Sequence, residues 1–371
     1  MKFKIIHDIN DIKPFVSHKE EIKFNIKSNG TTIGCYVFKD SKTFDSLEAL
    51  ECRGIIFDAS GKIISRPLHK FFNLGERADL TLAKISQRTD IAAIFEKIDG
   101  SMIATAWIDG HAQLRSVKSY EADVIHLADG LLFDNKNLRE FCFKVASNGM
   151  TAIFELSSPN ARIVVKQTET ELRLLHVRDN VTGEYLLLDP SHILHKWIEE
   201  YQISTVNKLT LTIEEMMESL PSMINKEGYV IQFGDGDMVK IKCPWYIRLH
   251  RSVTFLRERD IALLALNGEI DDIKSALIEI DIDLKPILET ESKVKEILSQ
   301  YYNEIVDISN TDRHLPRKEF AAKHNGHRLF SLIISNAYYS NYDLEKSLKE
   351  WYIQHRLKQD FSLKQLTGTM L

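Results

Sequence analysis

Five residues of this chain, Lys97-Ile98-Asp99-Gly100-Ser101, sit between two apolar runs, Ile91 to Phe95 and Met102 to Ile108. A lysine at the end of a strand, followed at once by a turn, fixes a primary amine where a ligand can reach it. The chemistry such an amine offers is nucleophilic attack, which needs the neutral form. With an ordinary pKa near 10.4, roughly one lysine in 2,500 is neutral at pH 7. A nucleophilic lysine therefore needs burial or cationic neighbours. Lys240 and Lys242, in Val239-Lys240-Ile241-Lys242, are candidates for those neighbours. Alternation along a strand sends both to one face, with Val239 and Ile241 on the other. That face could hold two positive charges over a polyphosphate and keep Lys97 deprotonated. The plain alternative is a solvated strand face.

Two carboxylates fall in comparable places. In Phe154-Glu155-Leu156 the apolar pair points to a core, and Glu155 projects the other way with Ile153. A carboxylate facing phosphates makes sense through a divalent metal or a ribose hydroxyl. Glu227-Gly228 adds a second acid beside a glycine that allows close backbone approach. The ordinary readings are an exposed glutamate on a half-buried strand and a turn entering a strand. Upstream, Arg53-Gly54 precedes a strand, and Lys70-Phe71-Phe72-Asn73-Leu74-Gly75-Glu76 is an aromatic and basic run. One of its rings could stack on a purine while Lys70 meets phosphate, although a Phe pair is more often core. Arg115 and Lys118 offer further phosphate contacts, or are plain surface charge.

The elements that must position these groups change in texture along the chain. Up to about residue 243 the pattern is strand-rich. Thr32 to Phe38, Gly54 to Asp58, Met102 to Ile108, Thr151 to Leu156 and Leu172 to Val177 read as short strands. Ala59-Ser60-Gly61 turns the chain into Lys62 to Ser65, and Gly234-Asp235-Gly236-Asp237 joins Gly228–Phe233 to Met238–Lys242 as a hairpin. Ser191 to Tyr201 and Ile213 to Leu220 read as helices. After Pro244 the pattern is helical throughout: Trp245 to Leu266, Ile270 to Ile280, Ser292 to Val306, Leu329 to Tyr339 and Leu344 to Leu357. The expected division is an α+β domain over 1–243 and an all-helical one over 244–371.

Composition bounds the partners. The 371 residues are 44% hydrophobic and 27% charged with a net charge of −5, which is ordinary for a globular protein. That charge argues against a surface basic all over but leaves room for a local basic cleft. Cys35, Cys52, Cys142 and Cys243 form no CxxC pair and are too sparse for a disulfide framework. With no apolar run of the roughly 20 residues a span needs, the expectation is a cytoplasmic protein with no membrane partner. In the helical region, Arg313-His314-Leu315-Pro316-Arg317-Lys318 and Lys323-His324-Asn325-Gly326-His327-Arg328 form a basic segment. It is a candidate contact for structured RNA or a solvated loop. Asp271-Asp272 reads as a helix N-cap and dipole partner.

Taken in order, Lys-x-Asp-Gly-Ser, Phe-Glu-Leu, Glu-Gly and Lys-Ile-Lys resemble the motifs of the covalent nucleotidyltransferase superfamily of DNA ligases, RNA ligases and capping enzymes. Arg53-Gly54-Ile55-Ile56-Phe57, the Lys70 to Glu76 run, and Phe154-Glu155 with Pro159 and Arg162-Ile163-Val164 narrow the resemblance to the phage RNA ligase 1 family. It covers about residues 53 to 246 at motif level; the tail matches in length and texture. The resemblance implies a nucleotidyltransferase domain of ATP-grasp-like antiparallel sheets with helices, followed by a helical domain. It implies ATP and Mg²⁺ as cofactors and, as substrate, RNA with 5′-phosphate and 3′-hydroxyl ends, a nicked tRNA among the candidates. If the gene is a phage's, the place of work is the host cytoplasm.

By similarity, Lys97 is the nucleophile, Lys240 and Lys242 meet the α-phosphate, and Glu155 and Glu227 serve metal or ribose. Arg53, Lys70 and Lys118 handle phosphates, Phe72 lies against the base, and Gly100 holds the turn after the lysine. Asp99 orients that turn. Tyr246 touches the nucleotide or the RNA end, and the strand near Leu172 to Val177 supplies a base or sugar contact among Leu174, His176 and Arg178. Two other functions use the same residues: a GTP-dependent capping guanylyltransferase, and a catalytically silent RNA-binding relative. The lack of a strand-rich C-terminal region counts against the first, and the intact lysines and glutamates count against the second.

Overall fold

The computed structural model describes residues 3–39, 42–254 and 256–364. It resolves into two units, one running to Ile247 and one beginning at Arg248.

The strands of the first unit are β1 (Ile22–Ile26), β2 (Thr32–Tyr36), β3 (Arg53–Phe57), β4 (Ile63–Ser65), β5 (Phe72–Asn73), β6 (Ile91–Lys97), β7 (Ser101–Ile108), β8 (His111–Arg115), β9 (Met150–Ser157), β10 (Glu171–Asp179), β11 (Lys208–Leu209), β12 (Gly228–Phe233) and β13 (Met238–Lys242). They form three sheets, ordered β1-β2-β3-β4, β10-β9-β7-β8 and β11-β6-β12-β13-β5. Every pairing is antiparallel except β13 with β5. Three largely antiparallel sheets with flanking helices give the α+β class expected of this region.

The second sheet shows how alternation builds the site. Ala152, Phe154 and Leu156 of β9, with Ile103 of β7, face a core capped by the helices Asp123–Asp134 and Lys136–Ser147. Neither helix is evident in the sequence reading. Ile153 of β9 and Met102 and Ala104 of β7 face the other way, into a cluster with Leu68, Phe71 and Met238. Glu155 shares that second face.

On β10 the alternation is interrupted. Leu174 pairs with Phe154 but His176 pairs with Ile153, so Leu175 is an extra residue in the ladder. Leu172 and Leu174 face the helix-capped core and so does Val177. The bulge has therefore moved His176 and Arg178 to the opposite face.

A buried ion cluster ties the first sheet to β10. Glu51, 2% exposed, accepts from Arg66 Nε at 3.2 Å and Nη2 at 2.8 Å, and from Arg178 Nη1 and Nη2 at 2.7 Å each. Both guanidiniums are fully buried and donate their remaining hydrogens to backbone carbonyls, including those of Asn180, Val181, Gly183 and Pro67.

The second unit is helical in all its regular elements among the described residues. Its spine is the helix Lys285–Asp312, longer than the expected Ser292 to Val306. It buries Ile287, Val294, Tyr301 and Ile305 at helical spacing. Where one helix was expected over Trp245 to Leu266 there are two, Pro244–Thr254 and Glu258–Asn267, because Arg257 is extended at φ −77° and ψ 142°. Asp271 lies inside the first turn of Ile270–Glu279 and pairs with Lys274 at 3.1 Å, so it is not the cap; the Asp272 side chain falls outside the described residues. No described helix is long and apolar enough to cross a membrane.

Candidate active site

The third sheet sets the geometry. Gly228, at the start of β12, pairs with Lys97 on one side and Lys242 on the other. Two residues on, Val230 pairs with Phe95 and Lys240. Lys97, Phe95, Val230, Lys240 and Lys242 thus share one face. Gly228 is required between the lysines: at φ +143°, an added Cβ would come within 2.0 Å of the Ile241 carbonyl oxygen.

Glu227, 3% exposed, bridges the row. Its Oε2 lies 2.7 Å from Lys97 Nζ and its Oε1 2.9 Å from Lys242 Nζ. Burial alone would push the Glu227 pKa up, but the two ammonium groups outweigh it and hold the carboxylate below its ordinary range. The effect on Lys97 runs against the expectation that cationic neighbours keep it deprotonated. Burial favours the neutral amine, yet Glu227, Glu155 and Asp99 together raise its pKa. At rest Lys97 is an ammonium ion. Its reactivity toward a neutral amine-selective reagent should therefore climb about tenfold per pH unit from pH 7 to 9, read by peptide mapping of the labelled chain. A rate independent of pH over that range would contradict the ion pair.

Lys240 is the opposite case. Burial, then Arg53, Lys97, Lys70 and Lys242, push its pKa well down, and its Nζ lies 4.4 Å from the centre of the Phe71 ring. Arg53, half-buried at the start of β3, leaves Nη1 sealed and without a hydrogen-bond partner among the described residues. Lys97, Lys240, Arg53, Gly100 and Glu155 all line one cavity of about 270 Å³ whose other walls are largely apolar. Cations at the edge of an apolar slot suit a nucleotide: phosphates on the charges, base among the side chains.

The turn after Lys97 is anchored through Asp99. Its Oδ2 accepts from the backbone of Val164 and Val165 at 2.8 and 2.7 Å, and its Oδ1 accepts from the Tyr246 hydroxyl at 2.6 Å. Asp99 thus orients the turn, as expected. Gly100 serves close approach: an added Cβ would meet the Leu156 carbonyl oxygen at 2.3 Å. Tyr246 is 2% exposed, with its hydroxyl on Asp99 and Lys242 Nζ 4.9 Å above its ring.

Other expected residues stand apart from the cavity. Phe72 pairs with Val239 across β5 and β13, so it shares the face that Lys240 does not use. It is Phe71 that lines the cavity. Phe72 instead lies between Lys70 Nζ, 4.8 Å from its ring centre, and Arg77, at 4.9 Å, beside a separate depression that both basic residues line. Burial lowers the Lys70 pKa to about 8 against the opposing pull of Glu76. Lys118 reaches toward the Tyr36 ring at 6.0 Å and lies off the cavity lining. Arg115, read as surface charge or a phosphate contact, is fully buried and donates to Ser65 Oγ at 2.7 Å. Of the three β10 candidates, Leu174 is core, Arg178 is committed to Glu51, and His176 lines the cavity. Phe95, Val230 and Met238 also line it and were missed; strand parity with Lys97 and Lys240 was the signal for the first two.

A divalent metal fits Glu155 better than Glu227. The Glu155 carboxyl is pushed up to about 7, by burial first and by the Glu227 and Asp99 charges, against the pull of Lys97. A cation would relieve that. Both Glu227 oxygens are already taken by lysines. Among the described residues no three acidic, histidine or cysteine side chains gather as a metal cluster. That suits an ion such as Mg²⁺, which keeps several waters and takes phosphate oxygens alongside one or two carboxylates.

In the basic segment of the second unit, Lys323 and His324 each meet Asp312 at 2.8 Å, and His327 and Arg328 each meet Glu304 at 3.1 Å. Part of it is the helix Arg317–His324, not a loop.

Comparison with known proteins identifies the family of the chain. Residues 51–246, more than half of the chain, match the model of the family described as RNA ligase. A protein of Thermovibrio ammonificans, provisionally named an RNA ligase, is 32% identical over 76% of this chain and 73% of its own length. RNA ligase 1 of bacteriophage TS2126 is 28% identical over 79% of this chain and 74% of its own. Among solved structures, an archaeal ATP-dependent RNA ligase aligns with a TM-score of 0.46 at 13% identity, over 81% of this chain and 79% of that one. On the family match and the Thermovibrio relative, this chain belongs to the RNA ligase family and is an RNA ligase.

Proposed function

We propose that this ligase joins RNA 5′-phosphate and 3′-hydroxyl ends with ATP, through an adenylate on Lys97. In the first transfer Lys97 Nζ attacks the α-phosphorus of ATP. The N–P bond forms, the bond from that phosphorus to its bridging oxygen breaks, and pyrophosphate leaves. Glu227 Oε2, 2.7 Å away, is the nearest base for the proton that Nζ sheds. In the second, a 5′-phosphate oxygen of RNA attacks the same phosphorus and frees the lysine. In the third, the 3′-hydroxyl of another end attacks the RNA 5′-phosphorus and AMP leaves.

The observation that carries this reading is the row Lys97, Gly228, Lys242 beside an apolar cavity edged by Arg53 and Lys240. Arg53 and Lys240 bind phosphate oxygens, and Lys242 with Glu227 sets the charge state of Lys97. Asp99 and Tyr246 hold the lysine's turn. Mg²⁺, held in part by Glu155, would neutralise charge on the phosphates. Nicked tRNA is the RNA class this reading favours for the structured substrate.

The test is incubation of the full chain with α-labelled ATP or GTP and Mg²⁺, then denaturing electrophoresis, after pyrophosphate treatment to strip any nucleotide already bound. We expect an acid-labile label from ATP. Label from GTP alone would shift the reading to capping chemistry, and label from neither would remove nucleotidyl transfer.

A further inference from the structure

The residues that lead outward from the lysine's turn end on a cation that the transfers above leave unused. Gly100, in that turn, packs so closely on β9 that an added Cβ would lie 3.0 Å from Glu155 Cγ. Met102 of β7 pairs with Glu155, and Glu155 pairs in turn with Arg173 of β10. Met102 and Glu155 line the cavity. Arg173 stands one strand further out, off that lining, on the outermost strand of the second sheet. Directly opposed residues of an antiparallel pair share a face, with Cβ atoms about 5 Å apart. Arg173 therefore stands at the rim of the cavity, on the face of Glu155.

Opposite charges so placed would be expected to pair, yet Arg173 turns elsewhere. Its Nη2 meets Glu171 Oε1 at 2.9 Å, two residues along the same strand. The charges that weigh most on Glu155 are Lys97, Glu227, Asp99 and Arg53. The Arg173 and Glu171 side chains are 33% and 37% exposed, and an ion pair so open to water is weak. A stronger anion can draw the arginine away. Phosphate is such an anion, since the planar guanidinium fork meets two of its oxygens at once. The neighbouring chain adds charge of the same sign. Val164 and Val165, whose amides Asp99 holds beside the lysine's turn, are flanked by Arg162 and Lys166 on the segment that leads into β10. The phosphates of ATP have Arg53 and Lys240 within the cavity. A partly exposed cation on the rim is left for what arrives after the nucleotide.

We propose that Arg173 binds a phosphate of the incoming RNA 5′ end at the cavity rim and so orients that end toward the adenylate on Lys97. The inference rests on the Lys97 reading, because that reading puts the nucleotide in the cavity and the RNA at its mouth.

The experiment compares wild type with Arg173→Ala, Arg173→Lys and Glu171→Gln, each as the full chain. Binding of single-stranded RNA carrying a 5′-phosphate or a 5′-hydroxyl is followed by fluorescence anisotropy over a series of salt concentrations, with self-labelling from ATP measured alongside. Arg173→Ala should bind 5′-phosphorylated RNA about tenfold more weakly, with a salt slope shallower by about 0.7. Arg173→Lys should restore the slope but only part of the affinity, because the fork is gone. Glu171→Gln, which frees the arginine, should bind more tightly than wild type. Labelling from ATP should stay within about twofold in all three. A loss confined to 5′-phosphorylated RNA identifies the terminal phosphate as the one bound. An equal loss on the 5′-hydroxyl form identifies a backbone phosphate of the same end. Unchanged RNA affinity in Arg173→Ala sinks the proposal and leaves the Lys97 reading intact. So does weaker binding in both Arg173→Ala and Glu171→Gln, or a matching loss of labelling, since the pair would then serve only the strand. A wild type that is never labelled, yet binds RNA through Arg173, removes the nucleophile assignment and keeps the contact.

Discussion

Lys97→Ala is expected to abolish labelling of the protein from ATP, a loss of about 10⁴-fold or more, since the residue is the reacting atom's carrier and no water or neighbour replaces it. The prediction is sharper than it first looks, because a second lysine lines the same cavity. Lys240 is the amine that burial and four cationic neighbours drive toward neutrality, whereas Lys97 is held as an ammonium by carboxylates. On resting charge alone, Lys240 would be the better nucleophile.

What favours Lys97 is what nucleotide binding does to each. An incoming polyphosphate brings the negative charge that Lys240 lacks and re-protonates it as a phosphate ligand. Lys97, by contrast, already has a base for the proton it must shed, Glu227 Oε2 at 2.7 Å from Nζ. Labelling of Lys97→Ala and Lys240→Ala, with peptide mapping of any adduct, checks this. Adenylate on Lys240 in the Lys97→Ala protein would reverse the two roles.

The largest structural effect is expected at a residue outside the cavity lining. Glu51→Ala should destabilise the first unit by about 3–5 kcal/mol, since removing one partner of a buried ion cluster strands the charges left behind. Arg66 and Arg178 would both remain in the interior, because their other hydrogens are committed to backbone carbonyls. Burial pushes the Glu51 pKa up, but Arg178 and Arg66 outweigh it and hold the carboxyl at about 2, below its ordinary 4.5. A depressed pKa of this kind contributes stability above pH 4.5 that disappears as pH falls from there toward 2. Urea unfolding of wild type and Glu51→Ala at pH 7 and pH 3 measures both effects. A difference under about 1 kcal/mol at pH 7 would mean that water or repacking satisfies the arginines.

How much of this was legible beforehand depended on whether local pattern or long-range pairing decided it. The hairpin of β12 and β13 came through residue for residue, since Gly234-Asp235-Gly236-Asp237 fixes the turn and alternation fixes both faces. Glu155 and Ile153 were rightly assigned to one face for the same reason. The two helices against the second sheet went unseen, and Gly130 within the first of them weakens its helical pattern. The faces of Phe71 and Phe72 turn on the parallel register between β5 and β13, which no short stretch of sequence contains. His176 could not be separated from Leu174 because the separation is a single extra residue in a ladder. The surroundings of Lys97 were read as Lys240 and Lys242 alone, whereas the Glu227 carboxylate lies between Lys97 and Lys242.

The acids beneath the basic segment of the second unit change what that segment can offer a nucleic acid. A solvated lysine or arginine that meets a phosphate releases condensed counterions from the nucleic acid, and the entropy of that release drives much of such binding. Lys323 is already paired with Asp312 and Arg328 with Glu304, and His324 and His327 contact the same two acids. A phosphate arriving there must displace a carboxylate and leave it uncompensated, so the repulsion it meets offsets the ions it frees. Within residues 323–328, the lysine and the arginine are thus offset by two carboxylates, and that half of the basic segment offers a nucleic acid less charge than its sequence suggests.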